Sequence, residues 1–68
     1  MSKKGLVEVE VNDPVEAETD KAIMFSVNGV PIWIPKSQID ESSEVQGKGD
    51  IGALIIPEWL AWEKELLD

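Results

Sequence analysis

The sequence predicts a mainly β domain of the α+β class: a small antiparallel sheet of four to five strands, curled toward a barrel, with one C-terminal helix. Three observations predict it. Asn28-Gly29 lies between two apolar runs and supplies the two positive φ angles of a two-residue type I′ hairpin turn. Leu6–Val11 and Val15–Asp20 each alternate apolar and mostly acidic residues with the period of a half-buried strand. Pro57-Glu58 opens the one convincing helical segment, with proline at the favoured first position and an acid beside the positive helix end. A flat sheet with the helix on one face is the alternative architecture.

Taken in order, residues 1–5 are expected to be a flexible start. In Leu6–Val11 the valines 7, 9 and 11 share one face, leaving Glu8 and Glu10 to solvent on the other. Asn12-Asp13-Pro14 reads as a turn, or as a bulge within one long edge strand. The Asn28-Gly29 turn fixes the hairpin register. Val27 falls opposite Val30, Phe25 opposite Ile32 and Ile23 opposite Ile34, on a wholly apolar face that must be core. Ala22, Met24 and Ser26 fall opposite Pro35, Trp33 and Pro31 on the second face. Pro31 and Pro35 lack an N–H, which gives the second arm an edge character. Residues 35–39 read as a single helical or 3₁₀ turn that tucks Ile39 into the core. Asp40–Asp50 is polar and glycine-containing, and is expected to be a mobile loop. Ile51–Ile56 reads as a strand buried on both faces, followed by a helix over residues 57–67. Trp59, Trp62 or Glu63, and Leu66 would share one stripe of that helix, which assigns Trp59 and Trp62 to the core. Residues 1–68 form one domain.

Sixty-eight residues stand near the lower limit at which an apolar core suffices. With no cysteine and no histidine, disulfides and the commonest zinc ligands are excluded. Absent cysteine suits a reducing cytoplasm. No apolar run reaches membrane-spanning length, and Lys3-Lys4 is followed by acidic residues rather than a signal-peptide core. The expectation is a cytoplasmic protein without a membrane role. Fourteen acids oppose six lysines, with no arginine and a net charge of −8. That balance argues against nucleic acid, whose phosphates are neutralised by Lys and Arg. Beyond solubility, it suits attraction to a partner with a basic surface.

Chemistry has little to work with. No serine has a histidine base, and no phosphate-binding or nucleophile-elbow pattern occurs, so no enzyme is expected and no cofactor is implied. Asp40, Glu41, Glu44 and Asp50 miss the spacing of a calcium loop. Glu16, Glu18 and Asp20 would share a strand face, which is more simply a solvated charge run than a metal site. Trp33 stands apart, flanked on the second hairpin face by Met24, Pro31 and Pro35. Packing beneath the C-terminal helix would account for it; so would a docking hot spot, since interfaces use Trp beside Met and Pro. The candidate partner-binding residues are therefore Trp33, Met24, Pro31 and Lys36, with Glu16, Glu18 and Asp20 as the steering carboxylates.

Trp33–Ile39 (WIPKSQI) and Ile55–Leu66 (IIPEWLAWEKEL) also carry a resemblance. The chain from Lys21 to Leu66 resembles short bacteriophage- and prophage-encoded proteins of unassigned function, which share a KAI-type strand, a turn, a WIPKSQI-like segment and an IPxWLA-type helix. Their motif is structural, so no active-site residue carries over. The resemblance implies a setting in which small acidic proteins bind a host macromolecule, blocking a nuclease or defence complex, redirecting polymerase or assisting replication. The leading expectation is thus a non-enzymatic inhibitor or modulator. Two rivals differ in class. One is a small barrel binding single-stranded nucleic acid through Trp33, Phe25 and scattered lysines. The other is a self-associating module, a homodimer suited by the two-sided hairpin and by Ile51–Ile56.

Overall fold

A computed structural model describes residues 5–67. The expected flexible start lies, apart from Gly5, outside the described residues. The chain runs β1 (Leu6–Val11), β2 (Ala17–Glu18), β3 (Ala22–Val27), β4 (Val30–Pro35), a 3₁₀ turn (Lys36–Gln38), β5 (Gly52–Pro57) and α1 (Glu58–Glu63). It is mainly β with a short C-terminal helix.

Asn28 and Gly29 both take positive φ, 53° and 82°, as a type I′ turn requires. Every β3–β4 pair then falls in the expected register, from Val27 opposite Val30 to Ala22 opposite Pro35. Ile23, Phe25 and Ile34 are buried, whereas Val30 at the tip is exposed.

The single sheet does not form. Among the described residues the strands make two antiparallel sheets, β1–β5 and β2–β3–β4, with no closed barrel. The segment expected as one strand over Val15–Asp20 is interrupted. Ala17 pairs with Met24, and the Glu16 N–H also donates to the Met24 carbonyl at 2.8 Å. Two residues thus oppose one, the geometry of a β-bulge, which bends the strand and ends its pairing. Val15, now buried, turns to the 40–50 segment: its N–H donates to Asp50 O at 3.1 Å, and its carbonyl accepts from Gly49 N–H at 2.9 Å. Both sheets face one core, built from Val9, Val11, Ile23, Phe25, Ile34, Leu54 and Ile56 with Val15, Val45, Leu60 and Ala61.

The 40–50 segment, expected as a mobile loop, forms neither helix nor strand. It nevertheless lies along β5 and inserts a fully buried Val45. Asp40 N–H donates to Ile55 O at 2.8 Å, and Glu44 N–H to Ala53 O at 2.8 Å. Side chains complete the pairing. Ser43 Oγ accepts from Ile55 N–H at 2.8 Å, and Glu44 Oε1 from Ala53 N–H at 2.8 Å. The Asp50 carboxylate gathers the Gln46 and Gly47 N–H groups at 2.9 Å each, which holds its pKa below the usual aspartate value.

The four sheet edges differ in how they are closed. β5 is covered by Ser43 and Glu44. β2, only two residues long, is flanked by the 47–50 turn, which bonds Val15 just before it and the Glu18 carboxylate. On β4 the ladder pairs bonded to β3 include Lys36, whose N–H donates to Lys21 O at 2.7 Å. Alternation then aims residues 31, 33 and 35 away from β3, so the two prolines sit where an outward N–H would otherwise be, not in the ladder. On β1, the Glu58 N–H donates to Gly5 O at 2.7 Å. The same alternation directs the backbone of Val7, Val9 and Val11 to β5 and that of Leu6, Glu8 and Glu10 outward, where no strand among the described residues pairs with them.

The helix is shorter than the expected 57–67. Pro57 is its N-cap (φ −60°, ψ 144°) and the last residue of β5, and Lys64 is its C-cap. Leu66 N–H donates to Ala61 O at 2.8 Å and Glu65 N–H to Trp62 O at 3.0 Å, with Glu65 left-handed at φ 59°. This is a Schellman ending with glutamate where glycine is usual. It folds Leu66 and Leu67 back onto the core, so they arrive there by a turn rather than along a helix stripe. The expected burial of Trp59 and Trp62 is overturned. They are 57% and 52% exposed, while Leu60 and Ala61 fill the core side. Successive residues rotate by about 100°, which places Trp59 and Trp62 within the arc that also holds Glu58 and Glu63. A helix of about one and two-thirds turns buries one side only, and the acids decide which. β5 begins at Gly52 rather than Ile51, which is exposed. No helix among the described residues is long and apolar enough to cross a membrane.

Candidate protein-docking site

The second face of the hairpin carries the candidate residues. Ala22, Met24 and Ser26 on β3 stand opposite Pro35, Trp33 and Pro31 on β4. Trp33 is 42% exposed, and Met24 beside it is half-buried. The helix packs chiefly on β1 and β5 and leaves the Trp33 indole exposed. The expectation that Trp33 packs beneath the helix is therefore corrected: the indole is presented at the surface of a paired strand. Pro31 and Pro35 fix φ on either side of it, so the platform loses little conformational entropy on contact.

The bulge extends the patch. It seats Ala17 beside Met24 and lets the Glu16 carboxylate accept from Ser26 Oγ at 2.8 Å. Trp33, Met24, Pro31 and Glu16 are thus brought together, an apolar centre with a carboxylate at its rim.

The other charged candidates are arranged differently. Lys36 Nζ donates to Glu18 Oε2 at 2.6 Å, and Glu18 Oε1 accepts the Lys48 backbone N–H at 2.9 Å. The Lys36 hydrogen bond, then the Lys48 N–H and the lysine charge, hold the Glu18 pKa below its usual value. Lys36 and Glu18 spend much of their charge on each other. Asp20 is exposed at the β2–β3 turn, where Thr19 Oγ1 accepts from the Lys21 and Ala22 N–H groups at 3.2 and 3.0 Å. It borders a shallow, largely apolar concavity of about 430 Å³ with Lys21, Pro35, Lys36 and Ser37. Glu16, Glu18 and Asp20 therefore do not share one strand face: each has its own surroundings, and among the described residues no group of three carboxylates is placed to hold a metal.

Two exposed indoles, Trp59 and Trp62, escaped the sequence reading; the acids flanking each, Glu58 and Glu63, were the signal that could have found them. Trp62 Nε1 donates to Glu58 Oε2 at a long 3.4 Å. The hairpin face, paired and flanked by prolines, remains the better-built platform. Comparison with protein-family models, curated proteins and solved structures gives no match to this chain.

Proposed function

We propose that this chain is a small acidic binding protein without catalytic activity, a phage-encoded inhibitor or modulator that docks on a host macromolecule through a basic protein surface. The observation that carries the reading is Trp33, held half-exposed between Pro31 and Pro35 and beside Met24 on a sheet face that no other element among the described residues covers. Aromatic anchors of this kind supply most of the energy of a protein interface. The acids from Glu8 to Asp20 raise the rate of encounter with a basic partner, and the hairpin face then excludes water. The phage setting rests on the WIPKSQI and IPEWLA resemblance alone, and places the action in the cytoplasm of the host cell. In this reading the two sheets act as the walls of an open barrel, since both pack on one core. Where the partner is a nucleic-acid-binding or defence protein, the carboxylates take positions that phosphates would hold.

The test is capture from a bacterial lysate followed by titration of the captured protein. Trp33→Ala is expected to weaken binding by about tenfold or more. Glu16→Lys with Asp20→Lys is expected to slow association and flatten its dependence on salt. Affinity and salt dependence unchanged in both variants would show the reading to be wrong.

A further inference from the structure

We propose that the outer edge of β1 is a strand-addition site for an extended basic segment of a partner protein, bound antiparallel with basic side chains opposite Glu8 and Glu10. The site goes beyond the hairpin surface, since β1 belongs to the other sheet. Its basis is the unequal treatment of the edges. β5 is closed by the Ser43 hydroxyl and the Glu44 carboxylate. β2 is only two residues long and is flanked by the 47–50 turn through Lys48 N–H on Glu18 Oε1 and the Val15 bonds to Gly49 and Asp50. β4 keeps a single outward N–H, at Trp33, between Pro31 and Pro35. Among the described residues β1 alone keeps an unbroken row of outward N–H and C=O groups, at Leu6, Glu8 and Glu10, in a six-residue strand with no proline or bulge. Such a row is a template for a further strand.

Charge selects the occupant. The side chains of Glu8 and Glu10 project from the face opposite the core and are exposed. A second copy of β1 laid on this edge in its central registers sets Glu8 against Glu8 or Glu10, and like charges directly opposite are destabilising. The net charge of −8 adds to that repulsion. A strand with basic residues at alternate positions meets the same carboxylates as favourable cross-strand pairs. In antiparallel addition the residues opposite Glu10, Glu8 and Leu6 exchange hydrogen bonds with them and share their face. The fitting segment therefore reads, from its N-terminus, basic, any, basic, any, apolar.

The test uses amide-resolved NMR of the full chain titrated with a capped peptide containing Lys-Thr-Lys-Thr-Val. One derivative is N-methylated at both lysines, a second at both threonines. The parent peptide is expected to shift and protect the Leu6, Glu8 and Glu10 amides. N-methylation of the lysines, whose N–H groups would face β1, is expected to weaken binding by about tenfold or more, and N-methylation of the threonines to change it little. Glu8→Lys with Glu10→Lys, confirmed folded by its spectrum, should transfer the preference to Glu-Thr-Glu-Thr-Val. Equal loss from both methylation patterns, shifts confined to the Met24–Trp33 face, dimerisation through β1, or no binding at millimolar peptide would each overturn the proposal.

Discussion

Ser43 closes both backbone groups of Ile55: its Oγ accepts the Ile55 N–H at 2.8 Å and donates to the Ile55 carbonyl at 3.2 Å. A hydroxyl here takes the place of a neighbouring strand. Ser43→Ala would leave the Ile55 N–H without a protein partner, whereas the carbonyl keeps the Asp40 N–H. The expected cost is about 1–2 kcal/mol of stability, since an unmade bond at a part-buried donor is more expensive than the net value of a made one. Urea unfolding of Ser43→Ala and Ser43→Thr measures it, with the threonine variant, which keeps the hydroxyl, expected to recover most of the loss.

That closure also shows what the sequence does and does not disclose. The hairpin was legible because its causes are local: Asn28-Gly29 sets the turn, and a period of two then decides every face. The sharing of one surface by Trp33, Met24 and Pro31 follows from that register alone. The pairing of β1 with β5 joins residues about forty or more positions apart, and no local pattern specifies it. Residues 40–45 hold β5 partly through side chains, so they show no strand alternation. The Glu18–Lys36 pair needed both the truncated β2 and the 3₁₀ turn, neither of which composition reveals.

Glu65 gives a stabilising prediction. It stands left-handed, at φ 59°, immediately before Leu66 turns into the core. A side chain in this region costs about 1–2 kcal/mol, which glycine avoids, although glycine returns part of the gain through the greater freedom of the unfolded chain. Glu65→Gly is expected to raise stability by about 0.5–1 kcal/mol. Glu65→Ala, which keeps the conformational cost, should not. A urea midpoint unchanged in the glycine variant would contradict this account of the helix ending.

The Glu18–Lys36 contact predicts a pH dependence. Lys36 and the Lys48 N–H favour the Glu18 carboxylate, so its pKa lies below the usual 4.5. The unfolded chain then binds the proton more readily than the folded one. The associated stabilisation is complete above the unfolded value and is lost as pH falls through the lower folded one. Asp50 acts in the same sense from a usual value of 3.8. Carboxyl NMR titration is expected to find Glu18 below its usual value, and Lys36→Met to move it upward without restoring it fully, because the Lys48 N–H remains.

Helix α1 separates size from burial, and so yields a sharp contrast among its variants. Its largest side chains, Trp59 and Trp62, face solvent, while Leu60 at 3% exposure holds the helix to the core. Leu60→Ala should cost about 2–4 kcal/mol, the lost transfer energy plus a cavity beneath the helix. Trp59→Gln and Trp62→Gln should each cost less than about 1 kcal/mol, as surface substitutions do. Variants keeping a single tryptophan at 59 or 62 should fluoresce at the long wavelengths of a hydrated indole and be quenched readily by acrylamide, a neutral quencher that the acidic surface does not repel. Shielded emission from either, together with a destabilisation matching that of Leu60→Ala, would mean that the helix packs on the opposite face.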